Sequence, residues 1–114
     1  MAFLQYDSVK HYNTLFEGTL AIAIQKYILN NADDYHDSLM IIAQNIWYGE
    51  ISIEQLSEYE LNLLKTKWQR IYTFSHDSYN KDLEKTFENE DDEIDICYAM
   101  HELEELDYFY FRNN

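Results

Sequence analysis

Asp92-Glu93-Ile94-Asp95-Ile96-Cys97-Tyr98-Ala99-Met100-His101-Glu102-Leu103-Glu104-Glu105-Leu106-Asp107-Tyr108-Phe109-Tyr110 is the stretch that decides how this chain folds. Its charge suggests an unfolded acidic tail, but its apolar residues have the period of a helix. Ile96, Met100, Leu103, Leu106 and Tyr110 recur at three- and four-residue spacing and so share one face. Acidic chains of low hydrophobicity stay disordered because they bury too little apolar surface to offset chain entropy. Here 46% of the 114 residues are hydrophobic and 17% aromatic, with 11 Tyr, 6 Phe and 2 Trp. The stretch is therefore expected to form a helix from about Asp92 to Tyr110.

The same period runs upstream. Ser8 is a suitable cap for a helix ending near Asn30, with Val9, Tyr12, Phe16, Leu20, Ala23 and Tyr27 along one side. Gly18 within it costs ~1 kcal/mol relative to Ala. Residues 30–34 read as a turn with an Asp cap. A second helix follows, carrying Leu39, Ile42 and Ile46 inward and stopping near Gly49, which suits a left-handed cap. Ser52 with Gln55, and Ser57 with Glu60, have capping-box spacing. They predict a short helical turn, then a helix from about Ser57 to Phe74 with Leu61, Leu64, Trp68 and Ile71 buried. Ser75 to Tyr79 reads as a turn, Asn80 to Phe87 as a further helix, and Glu88 to Glu93 as a solvated acidic loop. There is no proline and only two glycines, whereas sheet architectures need turn residues about every 8–12 positions. Residues 1–114 are thus expected to form a single compact, acidic, all-α domain of about five helices.

Charge then narrows function. The chain has 22 Asp and Glu against 8 Lys and Arg, a formal net of −14. Between Asp82 and Asp107 twelve acids (Asp82, Glu84, Glu88, Glu90, Asp91, Asp92, Glu93, Asp95, Glu102, Glu104, Glu105 and Asp107) are opposed by Lys85 alone, a net of −11. Self-repulsion on this scale destabilises a fold, and a net charge of magnitude ~2–8 is enough for solubility. The excess points to a surface for a basic partner. Residues three or four apart on a helix lie ~5–6 Å from each other. Asp91, Asp95, Glu102 and Glu105, with Glu88 and Asp92 beside them, would then form a row of negative charge. Each strand of duplex DNA carries one phosphate per ~3.4 Å, so helices bearing such rows can imitate a bent duplex. Tyr98, Tyr108 and Tyr110 among the acids suit arginine guanidinium, a contact that adds ~0.5–2 kcal/mol when desolvated. Glu104, Glu105 and Asp107 sit where the helix dipole favours cations, and a local rule broken in this way points to function. Against this stand a merely solvated surface and tyrosines that only fill the core.

Enzyme signatures are lacking: no Gly-rich phosphate loop, HExxH, CxxC or GxSxG occurs. The chain reads as a non-enzyme. Cys97, His101 and Glu105 have a metal-ligand spacing on one helix row, but the second Cys/His pair of a tetrahedral zinc site is missing. A small buried Cys beside a surface His is the simpler reading. Asp33, Asp34, His36 and Asp37 read as a helix N-cap cluster more readily than as a cation site. No metal and no cofactor are expected. Cys97 is the single cysteine, which excludes an internal disulfide and fits a reducing compartment. The N-terminus lacks the basic-then-apolar order of a signal peptide, and the aliphatic run Leu20 to Ile24 is far short of a membrane span. A cytoplasmic location without membrane contact is expected, and negative charge disfavours direct binding of nucleic acid.

Tyr12-Asn13-Thr14-Leu15-Phe16, then Asp33-Asp34-Tyr35-His36-Asp37, then Ile42-Ala43-Gln44-Asn45 with Tyr48, resemble the elements of the Ocr-like phage antirestriction proteins. That family has a Tyr-Asn…Phe element, an Asp-Asp-x-His-Asp element and an Ala-x-Asn element, and it is similar in size, helicity and acidity. The likeness covers residues 12–48. This chain lacks the proline that commonly follows the Ala-x-Asn element, and its acidic tail is shorter. The resemblance implies a homodimeric DNA mimic from a phage or mobile element, whose carboxylates fill the basic DNA groove of a host defence nuclease. Type I restriction–modification enzymes and CRISPR effectors are the expected targets, and Asp33, Asp34 and Asp37 would join the mimic surface. The alternative is a helical protein–protein interaction module without DNA mimicry, whose binding would rest on a few aromatic residues.

Overall fold

The computed structural model describes residues 15–49, 51–85 and 90–112. Four α-helices occur among them: α1 (Leu15–Asn30), α2 (His36–Trp47), α3 (Glu58–Leu83) and α4 (Glu90–Leu106). A short 3-10 turn (Ile53–Gln55) precedes α3, and a π-helical turn (Asp107–Arg112) follows α4. No strand is present among the described residues.

Helix α1 packs against α2, α3 and α4, and α3 packs against α4. The sequence of α1 explains its central place. Leu20, Ala21, Ala23, Ile24, Tyr27 and Ile28 are all buried, so its apolar surface is far wider than one stripe. A helix apolar on most of its circumference must be covered on several sides. The expected inward residues of α2 (Leu39, Ile42, Ile46) are buried, together with Met40, Ala43 and Trp47. Helix α2 ends at Trp47, and Gly49 just beyond its C-cap has a φ of +76°, the left-handed conformation that favours glycine. Residues 1–14 and 86–89 lie outside the description, and with them the Ser8 cap, Val9, Tyr12, Phe87 and Glu88.

Both boxes form, that of Ser52 at the 3-10 turn and that of Ser57 at the start of α3. Ser57 Oγ accepts the Glu60 N–H at 3.1 Å while Glu60 Oε1 accepts the Ser57 N–H at 3.0 Å. Gln55 Oε1 accepts the Ser52 N–H at 2.8 Å. The expected turn at Ser75–Tyr79 is not there: α3 runs unbroken to Leu83, so four helices stand where about five were expected. Packing accounts for the difference. Ser75 is fully buried and its Oγ donates to the Ala23 carbonyl of α1 at 3.4 Å, while Tyr79 is buried one turn on. Polar residues that favour turns in isolation are held in the helix by what they touch, because propensity is weaker than tertiary context. The acidic loop at Glu88 to Glu93 is likewise corrected in part, since Glu90 to Glu93 form the first turn of α4.

Helix α4 buries Ala99, Leu103 and Leu106 and half-buries Ile96, Met100 and the more distal Tyr110. The face expected from the sequence therefore does meet the core, and the acidic residues around it are fixed to a packed helix.

Candidate partner-binding surface

Helix α4 holds Glu90, Asp91, Asp92, Glu93, Asp95, Glu102, Glu104 and Glu105, eight acids, and not one lysine or arginine. Glu90, Asp91, Asp92, Glu93 and Asp95 are exposed. Four of them occupy the first turn, where the helix dipole favours negative charge. Asp92 and Asp95 also edge a cleft of about 330 Å³ shared with Lys26, Tyr79 and Asp82. There the Lys26 ammonium lies 4.0 Å from the centre of the Tyr79 ring. Burial lowers the Lys26 amine below its ordinary value, against the raising effect of Asp82.

The carboxylates nearer the C-terminus of α4 are placed differently from the simple mimic row. Glu104 Oε2 lies 3.0 Å from His76 Nε2 on α3, and Glu105 contacts His101 one turn back. Glu102 is half-buried, and its carboxyl is raised above the usual range first by burial, then by the charge of Glu105, against the opposing effect of His101. Asp107 is a correction. Only 9% exposed, it accepts the Trp68 Nε1–H at 2.9 Å with one oxygen. Its other oxygen takes the Arg112 Nε and Nη2 at 3.0 and 2.6 Å. Trp68 also stacks on Phe111 at 4.2 Å between ring centroids. Asp107 therefore fastens the π-helical turn to α3 and displays nothing. The three acids that oppose the helix dipole each have a local partner, so the broken rule has a structural explanation.

Asp33 is the second correction. Its side chain is 1% exposed and pairs with Lys67 of α3 at 2.9 Å. The same oxygen accepts the Tyr27 hydroxyl at 2.8 Å and the other accepts the Tyr35 N–H at 2.8 Å. Burial pushes this carboxyl up, but the hydrogen bonds from Tyr35, Lys67 and Tyr27 outweigh it and hold it below the ordinary range. Asp33 shapes the α1–α2 turn and ties it to α3. The helix N-cap itself is Tyr35, without a side-chain cap bond. Asp34, in the turn before α2, and Asp37, in its first turn, remain exposed, and α2 packs chiefly on α1.

The aromatics divide in the same way. Tyr98 and Tyr108 are exposed among the acids, and Arg112 lies 5.8 Å from the Tyr108 ring centre. Exposed Ile94 and Phe109 were not singled out in the sequence. Cys97 is exposed rather than buried. Ile94, Cys97, Tyr98 and His101 occupy i, i+3, i+4 and i+7, a second apolar row opposite the first. These residues and Glu93 line a shallow depression of about 410 Å³. Among the described residues no group of three or more His, Cys, Asp and Glu is placed to hold a metal ion. Nor is any described helix long and apolar enough to cross a membrane. No family model, curated protein or solved structure matches this chain.

Proposed function

We propose that the chain is a non-enzymatic DNA mimic that blocks the basic DNA-binding groove of a host defence nuclease, acting in the host cytoplasm. One observation carries this reading: the exposed side of α4 sets out carboxylates with no lysine or arginine on the helix, above a core face that fixes their positions. A receptor evolved for phosphates sheds counterions on meeting such a surface, as it does on meeting DNA. The Ocr-like elements near residues 12–48 support the class and suggest a restriction–modification or CRISPR complex as target, with a homodimer as the active form. Asp33 and Asp107 drop out of the mimic surface. Glu90 to Glu93, Asp95 and Glu102 carry most of it, with Glu104 and Glu105 at its edge.

The test is competition. The chain is used to capture a partner from bacterial lysate, and the purified pair is titrated with duplex DNA at several salt concentrations. Mimicry requires that duplex DNA and the chain exclude each other and that affinity fall steeply with salt. Simultaneous binding of both, or an affinity indifferent to salt, contradicts it.

A further inference from the structure

The outer side of α4 is not purely anionic, and a DNA mimic has no need of the residues along its centre. Ile94 is 48% and Tyr98 65% exposed, with exposed Cys97 and His101 completing a row about two turns long. Acidic residues border this row on both sides. Asp91, Asp95 and Glu102 follow one edge and Glu93 and Glu104 the other, while Glu90 and Glu105 stand in line with the row at its two ends, as their spacing on a helix of 3.6 residues per turn requires. The result is an apolar strip between two anionic margins, hollowed by the depression that Glu93, Ile94, Cys97, Tyr98 and His101 line.

We propose that this face docks a basic amphipathic helix of the partner, its apolar residues on the Ile94–Tyr98 strip and its lysines and arginines against the two acidic margins. The inference rests on the reading of α4 as the partner-binding face and adds the kind of element that face receives. Charge complementarity selects the occupant. A second copy of this chain would set its own acidic margins against these across the same strip. Nucleic acid and anionic lipid surfaces carry the wrong sign. A helix with one apolar stripe and cationic flanks matches centre and margins together, the helix-in-groove mode of peptide recognition. Tyr98 adds a ring face for a guanidinium from the flank.

The experiment uses the full chain and two synthetic peptides of about five turns. Both have the same lysine, arginine and leucine content. One has its leucines in a single helical stripe with cations on both flanks, and the other has that sequence scrambled so that no stripe forms. Binding is read by fluorescence anisotropy. The amphipathic peptide is expected to bind at least about tenfold tighter than the scramble, as for a contact with an apolar hot spot. Ile94→Ser with Tyr98→Ser should erase that advantage while leaving the scramble unaffected, and Tyr98→Phe should retain it. Far-UV circular dichroism checks the fold; should the double variant unfold, Tyr98→Ala gives the same readout at the more exposed position. Equal binding of the two peptides overturns the proposal, as does an advantage that survives the strip variants. Self-association of the chain that Ile94→Ser abolishes also overturns it, by assigning the strip to a second copy. A failure here leaves competition between duplex DNA and the captured partner intact. Failure of that competition with the peptide preference preserved removes mimicry and keeps the docking face.

Discussion

Helices α3 and α4 lie side by side on α1 and use charge in opposite ways. Helix α3 has Glu58 and Glu60 in its first turn and Lys81 in its last, the order that complements the helix dipole. Its Lys67 is turned inward to Asp33. Helix α4 has four acids in its first turn and no base in its last. Charge on α3 serves the fold at Glu60, which completes the cap, and at Lys67. Charge on α4 is held mostly outward, while Glu104, Glu105 and the following Asp107 meet His76, His101 and Arg112. The difference separates two kinds of carboxylate that look alike in sequence: those buried in contacts that secure the architecture and those displayed on the outer side of α4.

Substitutions should sort the same way. Asp33→Ala strands the inward Lys67 and the Tyr27 hydroxyl, and breaking a buried pair from one side costs roughly 3–5 kcal/mol. A large fall in the urea midpoint is expected, and a fall within error would mean that Asp33 is no more structural than the acids of α4. Asp107→Ala leaves the buried Trp68 N–H without its acceptor at a cost of about 1–3 kcal/mol. Thermal unfolding followed by tryptophan fluorescence reports it directly. At the small end, Glu102→Gln removes a half-buried carboxylate beside Glu105. A slight rise in stability at neutral pH, under about 1 kcal/mol, is the expected result.

The pKa shifts of the two carboxylates Asp33 and Glu102 have opposite signs and so give opposite pH dependences. Asp33 is held below its ordinary value in the folded chain. Its contribution is complete above the unfolded value of about 3.9 and is lost as pH falls through the lower folded value. Glu102 is raised. Stability therefore declines as pH rises from the unfolded value of about 4.3 towards the higher folded one. Urea midpoints measured across acid pH should lose their steep lower limb in Asp33→Asn and decline less above pH ~4 in Glu102→Gln. Parallel profiles for the two variants would contradict both assignments.

The all-α fold was legible because three- and four-residue rows run through most of the chain without proline to interrupt them. The capping boxes at Ser52 and Ser57 were legible for a similar reason, each being complete within four residues. What was hidden depends on residues remote in sequence. Ser75 looked like part of a turn until Ala23 of α1 was seen to accept its hydroxyl. Asp33 and Asp107 looked like surface acids because Lys67 and Trp68 lie 34 and 39 residues away from them. Cys97 looked buried because one face of α4 was already apolar, and nothing local shows that a second apolar row is left facing out.

The most direct measurement takes one variant carrying Glu93→Gln, Asp95→Asn and Glu102→Gln and records two quantities on it. These are its thermal midpoint and its ability to displace duplex DNA from the captured partner. Carboxylates held outward for a receptor should give a midpoint equal to or above that of the unaltered chain, with displacement lost. A lowered midpoint with displacement unchanged would show that the acids of α4, like Asp33, serve the fold alone.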